Sequence, residues 1–139
     1  MIVVSIPGEA VAFARTRMSK TGVRFTPSKQ ANYMAVVRQY VDEAMRTGSI
    51  APIEGPIRMT VHAIYVMPAS WPAKKRGAFY KTTKPDADNI AKLVKDACNR
   101  VAYRDDAQVA ELIARKVYGQ ESSLLVKIEP LTRGTSEAA

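Results

Sequence analysis

The stretch KPDADNIAKLVKDACNRVAYRDDAQVAEL, residues 84–112, joins an amphipathic helix to a group of aspartates. Its apolar residues recur at spacings of three and four, at Ile90, Leu93, Val94, Ala97 and Val101. This period predicts a helix from about Asp88 to Val101 with its apolar side against a core. The opposite side carries charged and polar residues, among them Lys92, Lys95 and Asp96.

Negative charge is concentrated in this stretch although the chain as a whole is basic. With 13 acidic residues among 139, an even distribution would put about two into a window of 21 positions. Five lie there: Asp86, Asp88, Asp96, Asp105 and Asp106. The pattern indicates a local requirement for negative charge.

Strand and helix patterns surround this stretch on both sides. MIVVSIPG predicts a first strand, VAFARTRMSKTGVRFTP a hairpin, and the segment from Ser28 to Gly48 a helix. Alternating residues over 57–65 predict a central strand, and AQVAELIARKVYG and SLLVKIEPL predict two closing strands. We therefore expect an α+β fold, a mixed sheet of about five to six strands with two helices packed on it. Residues 1–130 form the expected domain, and 131–139 a flexible tail.

The composition favours a polyanionic partner and excludes several kinds of site. A net charge of +8 and a pI near 9.8 are typical of nucleic-acid binding. We expect no membrane span, because no apolar run approaches about 18 residues, and no secretory signal at the start of the chain. Cys98 and His62 are each the single residue of their type, so a disulfide, a zinc site or a Cys–His pair is not expected. The expected location is the cytoplasm, and no organic cofactor is predicted.

Two basic regions could contact phosphates. One face of the predicted hairpin carries Arg15 and Arg17, with Arg24 on the return strand. The loop from Pro68 to Pro85 interleaves aromatic side chains with basic residues, including Lys74, Lys75, Arg76 and Lys84. Cations meet phosphates while rings stack on bases, so both regions are candidates for DNA binding. A solvated strand face and a mobile surface loop are the alternatives.

The aspartates themselves suit a hard cation. Asp86 and Asp88 can point the same way from an extended segment, and Asp105, Asp106 and Glu111 return past the same end. Converging carboxylates without His or Cys favour Mg²⁺ or Mn²⁺. Alternatively, these aspartates only cap the helix and form a turn.

The motif formed by KPDADNIAKLVKDAC and YRDDAQV resembles the RusA family of Holliday junction resolvases, small Mg²⁺-dependent endonucleases often carried by prophages. The N-terminal PGEAVAFARTR and GVRFTP also resemble family members. The resemblance implies that Asp86, Asp88 and Asp106 are the essential carboxylates and Lys92 the functional lysine. Asp105, a further candidate ligand, would lie nearby together with Asp96 and Glu111.

The same resemblance implies a homodimer that cleaves a four-way DNA junction by paired symmetric nicks, with Mg²⁺ as cofactor and Mn²⁺ able to substitute. Two-fold symmetry of the junction matches a dimer with two active sites. Two other functions stay open at this point. One is a non-catalytic DNA-binding module, and the other is a less selective metal-dependent nuclease acting on flaps or other branched DNA.

Overall fold

The chain forms one four-stranded sheet, one two-stranded ribbon and two long helices. The structure, a computed structural model, describes residues 1–14, 17–18, 20–22, 24–25 and 28–132, with the backbone alone for 17–18 and 24–25. In chain order the elements are β1 (Ile2–Pro7), β2 (Arg17–Met18), β3 (Arg24–Phe25), α1 (Ser28–Thr47), β4 (Ile57–Val66), α2 (Ala87–Cys98), β5 (Val109–Gly119) and β6 (Ser123–Pro130). A short 3₁₀ helix, Asp106–Gln108, precedes β5. Of the predicted tail, residues 133–139 lie outside the described part.

The main sheet has the strand order β1-β6-β4-β5. Its β1–β6 and β6–β4 pairs are antiparallel, whereas β5 runs parallel to β4. The predicted central position of β4 is confirmed. Alternate residues of β4, from Ile57 to Tyr65, are buried on the face that the helices cover, as the two-residue period of a strand requires. Both helices therefore lie on one side of a mixed sheet, which is an α+β arrangement.

The predicted number of strands is not confirmed. Among the described residues, four strands form the sheet, and β2 and β3 pair with each other in a separate ribbon. A strand joins a half-buried sheet when it has an apolar face to bury. β2 and β3 are only two residues long, so the ribbon that they form is too short to extend the sheet.

The second helix ends three residues earlier than its apolar period predicts. α2 stops at Cys98, because Asn99 is extended and Arg100 has a positive φ of 64°. Cys98 is fully buried, as expected, and burial raises the pKa of its thiol to about 12, so it is no nucleophile at neutral pH. In the described part of the chain, neither helix has the length and apolar character needed to cross a membrane.

Candidate active site

The segment that enters α2 holds two exposed aspartates. Asp86 occupies the N-cap position with the predicted extended backbone, φ −74° and ψ 140°, but α2 begins at Ala87, so the extended segment predicted to hold both aspartates ends before Asp88. Its side chain makes no capping hydrogen bond, and Asp88 follows in the first helical turn. Within the described residues neither carboxylate has a hydrogen bond or ion pair. Both are therefore available to bind a ligand.

Lys92 lies one turn beyond Asp88 but pairs with Asp96 on the next turn. Its Nζ is 3.6 Å from Oδ2 of Asp96 and 4.8 Å from the centre of the Phe13 ring. Phe13 is held there because its backbone N–H donates to the carbonyl of Asn89 at 2.9 Å. The lysine side chain is 54% exposed, and such a surface ion pair contributes little to stability. The ion pair therefore holds Lys92 only weakly in this position.

The aspartates after α2 lie in a tight turn, which we call the Asp105 turn (residues 103–108). Asp105 is the N-cap of the 3₁₀ helix, and its Oδ1 accepts from the N–H of Ala107 at 2.9 Å. The side chain of Gln108 reaches back, and its Oε1 accepts from the N–H of Asp105 at 3.0 Å. This reciprocal pair is a capping box. Asp105 thus uses its carboxylate to form the turn.

Gln108 uses its whole amide to hold the turn in place. Besides the Asp105 N–H, its Oε1 accepts from the N–H of Arg104 at 2.9 Å. Its Nε2 donates to the carbonyls of Ile53 at 3.0 Å and Gly55 at 2.9 Å. An amide has two acceptor and two donor positions, so Gln108 is saturated. This role of Gln108 was not predicted from the sequence, although Asp-x-x-Gln at residues 105–108 is a capping-box pattern.

Asp106 lies beside a buried tyrosine. The hydroxyl of Tyr103 donates to the carbonyl of Lys95 at 2.8 Å, which ties the turn to the C-terminal half of α2. Burial raises the pKa of Tyr103 above its usual range, and Cys98, Asp106 and Asp96 raise it further. Asp106 is partly exposed and serves no cap.

The predicted carboxylates do not form a ready metal site. Among the described residues, no three His, Cys, Asp or Glu side chains are grouped so that they could hold a metal ion. Asp105 is engaged in its cap, and Glu111 faces Arg58, whose Nε donates to Oε2 of Glu111 at 2.6 Å. Asp86, Asp88 and Asp106 would have to move to bind one ion together.

The long loop between β4 and α2 is joined to the edge of the sheet. The N–H of Lys81 donates to the carbonyl of Lys116 at 2.9 Å, and the N–H of Tyr118 donates to the carbonyl of Phe79 at 2.9 Å. These bonds extend the ladder beyond β5, so this part of the loop has a defined path along the sheet.

The three aromatic rings of the loop differ in their availability to a nucleic acid. Trp71 packs edge-on against Tyr118, with ring centres 5.2 Å apart and an angle of 69°. It therefore belongs to the protein interior more than to a DNA interface. Phe79 and Tyr80 are each 59% exposed and pack against one another. These two rings keep the predicted ability to contact bases.

The basic residues of the loop are exposed, as a phosphate contact requires. Lys74, Lys75, Arg76 and Lys84 all lie on the surface. Nζ of Lys75 is 5.8 Å from the centre of the Trp71 ring, and Nη1 of Arg76 donates to the carbonyl of Pro68 at 3.1 Å.

The sequence predicts three phosphate-binding arginines in the hairpin, Arg15, Arg17 and Arg24. Arg15 lies outside the described residues. Arg17 and Arg24 belong to β2 and β3, whose two residues each are described by their backbone alone. The register pairs Arg17 with Phe25 and Met18 with Arg24. A DNA contact by this hairpin stays a prediction.

Comparison with known proteins was made at two levels. A family model, Endodeoxyribonuclease RusA, matches residues 7–129. The chain is 34% identical over 137 residues to the uncharacterized protein YqaN of Bacillus subtilis (strain 168), covering 92% of this chain and 95% of that protein. It is 31% identical over 74 residues to the crossover junction endodeoxyribonuclease rusA of Lactococcus phage r1t, covering 52% of this chain and 53% of the phage protein.

The family match spans both acidic segments, β4, β5 and almost all of β6, but only the last residue of β1. It therefore includes the start of α2, the Asp105 turn and the sheet that supports them, and it agrees with the resemblance seen in the motif. The chain belongs to the RusA family of endodeoxyribonucleases.

Proposed function

We propose that this protein is a metal-dependent endonuclease that resolves four-way DNA junctions by paired, symmetric nicks. The observation that carries the proposal is the family match over residues 7–129. The phage relative named as a crossover junction endodeoxyribonuclease supports the same substrate class. A net charge of +8 suits a polyanionic substrate.

Asp86, Asp88 and Asp106 are the proposed ligands of a divalent ion, with Mg²⁺ preferred, Mn²⁺ able to substitute and Asp105 a further candidate. Oxygen ligands alone favour such hard cations, which assist phosphodiester hydrolysis by activating water and neutralising developing charge. Asp86 and Asp88 support the assignment because their carboxylates serve no capping or pairing role. The proposal requires side-chain movement, since the three do not form one group in the structure.

Lys92 is proposed to contact the scissile phosphate. Its present partner, Asp96, is 3.6 Å away and is half-buried, whereas the lysine itself is exposed. The scissile phosphodiester carries one negative charge and two free oxygens, like a carboxylate, so it can compete for the same ammonium group, and the charge that develops during hydrolysis would strengthen the contact. The Phe13 ring supports the aliphatic part and the charge of the lysine in either state.

The exposed basic residues of the loop, Lys74, Lys75, Arg76 and Lys84, are proposed to bind the DNA backbone together with the hairpin arginines Arg15, Arg17 and Arg24. Contacts of this kind depend on the shape and charge of DNA more than on base sequence. A junction differs from duplex mainly in shape, so this form of binding suits junction recognition.

A homodimer is the proposed active form, because a two-fold junction needs two opposed cuts. Sedimentation of the protein with and without junction DNA measures this directly. Dimers are expected at micromolar concentration, and a 15.3 kDa species under both conditions would contradict the dimer.

The proposed function is tested on labelled four-way junction, flap and duplex DNA of equal length, each with Mg²⁺, Mn²⁺ or a chelator. We expect paired nicks in the junction with either metal and none with the chelator. Equal cleavage of flaps would indicate a less selective nuclease. Junction binding without any cleavage, in all metals, would indicate a DNA-binding module and contradict the proposal.

A further inference from the structure

A concave surface next to the Asp105 turn is lined by two arginines that the sequence analysis did not single out. It lies between residues 51–55 on one side and residues 100–108 on the other, with a volume of about 1000 Å³. Arg100 and Arg104 contribute to its wall. A second concave surface of about 580 Å³ adjoins it and shares Arg100. We call this continuous feature the arginine groove.

The walls of the groove are held together by Gln108. Its donors bind the carbonyls of Ile53 and Gly55 on one side, and its acceptor binds the N–H groups of Arg104 and Asp105 on the other. The groove is therefore a preformed part of the fold, and Arg104 directly precedes the two aspartates of the turn. A ligand in the groove would lie beside Asp105, which lines it and directly precedes Asp106.

Arg100 occupies a backbone position that favours glycine. It follows the C-cap residue Asn99 with φ 64°, in the left-handed region. Side chains other than glycine and asparagine are uncommon there because Cβ approaches the backbone. The chain thus carries a long cationic side chain at a strained position, which indicates that the side chain has a use.

The two guanidinium groups also lack partners among the described residues, unlike those of Arg38, Arg46 and Arg58. Arg46 pairs with Asp42 at 2.6 Å, and Arg58 pairs with Glu111 at 2.6 Å. Arg38 donates to the carbonyl of Ala97 at 3.0 Å, so the C-terminal end of α2 already has a cationic partner. Arg100 and Arg104 are exposed, and within the described residues their side chains have no hydrogen bond or ion pair.

We propose that the arginine groove binds the sugar-phosphate backbone of the DNA substrate through Arg100 and Arg104, next to the cleavage site. The inference rests on the proposed function and adds a contact surface to it. Guanidinium groups bind phosphate through two parallel hydrogen bonds, and the free pair provides two such positions. Glu54 and Asp105 also line the groove, so the phosphates contact its arginine rim and do not enter its acidic part.

The first test measures the affinity for junction DNA over a range of salt concentrations. A chelator is present throughout, so that binding is measured without cleavage. The variants are Arg100→Gln, Arg104→Gln and the double change, and Arg115→Gln is the control. Arg115 is an exposed arginine on β5, in register with His62 on the sheet face away from the helices. Loss of each phosphate contact is expected to reduce the slope of log affinity against log salt by about one unit.

A second measurement separates a DNA contact from a structural role. Arg100→Gly removes the side chain and relieves the left-handed strain, so the variant is expected to melt at the same temperature or higher while binding the junction more weakly. Arg100→Lys keeps a charge and should bind more tightly than Arg100→Gly.

Three outcomes distinguish failure of the groove from failure of the function. The groove proposal alone would be overturned if the double variant kept the affinity and the salt slope of the wild type while the wild-type protein cleaved junctions. A loss in Arg115→Gln as large as in the groove variants would also overturn it, because the effect would then be one of net charge. Wild-type protein that neither binds nor cuts branched DNA would overturn the proposed function itself.

Discussion

Asp86 and Asp105 occupy the same kind of position, yet the structure uses them differently. Each is the N-cap residue of a helix with an extended backbone. The carboxylate of Asp105 accepts from Ala107 and completes a capping box with Gln108, whereas the carboxylate of Asp86 makes no capping bond. A carboxylate already bonded to backbone N–H groups is a poorer candidate for chemistry. The difference divides the aspartates into one that builds the turn and others that are available for a ligand.

The largest expected effect comes from removing the carboxylate charge at one of the two N-cap positions, residue 86. Asp86→Asn should reduce junction cleavage by several orders of magnitude, because each 1.4 kcal/mol lost from the transition state is about tenfold in rate and metal assistance supplies several kcal/mol. Asp105→Asn should cleave nearly normally, since Asn accepts the same capping bond. Single-turnover nicking rates, with circular dichroism to verify folding, measure both. Equal losses at the two positions would assign Asp105 to the chemistry as well.

An intermediate effect is expected when the hydrogen bonds that hold the Asp105 turn in place are removed. Gln108→Met keeps the size of the side chain and removes four hydrogen bonds, which should lower the free energy of unfolding by about 2–4 kcal/mol. Cleavage should fall too, because Asp106 would lose its fixed backbone. Urea denaturation measures the first effect and nicking the second.

Gln30→Met is the matched control for this change. Gln30 is a buried amide whose Oε1 accepts from the N–H of Ala14 at 2.8 Å, in a different part of the fold. Its substitution should lower stability by about 1 kcal/mol and leave the cleavage rate of the folded protein unchanged. A Gln108→Met variant as stable and active as wild type would show that the turn does not depend on the amide.

The smallest expected effect is a difference in stability that shows whether the side chain at each N-cap position makes a capping hydrogen bond. At residue 105, Ala should be less stable than Asn by about 1 kcal/mol, because only Asn can accept from Ala107. At residue 86, Ala and Asn should be equally stable, since no capping bond exists to lose. Thermal unfolding of the four variants measures the two differences. A clear advantage of Asn at residue 86 would mean that Asp86 caps α2 in solution.

Much of the fold was predictable because its elements follow local periods. The strand β1, the helix α1, the alternation of β4 and the apolar side of α2 were each predicted within a few residues. The end of α2 was missed because Ala97 and Val101 continue the apolar period past Cys98. The backbone of Asn99 and Arg100 leaves the helix first.

The candidate site was predictable in its residues but not in its geometry. The motif in residues 84–112 located the aspartates and Lys92 and indicated the family, since it is contiguous and depends on residue order alone. It did not show that Lys92 pairs with Asp96, that Glu111 pairs with Arg58, or that the carboxylates are not grouped.

By itself, then, the sequence determined the helices, the central strand, the basic charge and the family, because these depend on neighbours in the chain. The tertiary structure alone decided the strand order β1-β6-β4-β5. It also decided that Asp105 caps a turn while the carboxylate of Asp86 makes no capping bond. The hydrogen bonds that fix these roles join residues far apart in the chain. Gln108 binds the carbonyls of Ile53 and Gly55, which are 55 and 53 positions away, and Arg58 binds Glu111, which is 53 positions away. No local pattern encodes such contacts, because they form only when packing of the helices on the sheet brings distant segments together.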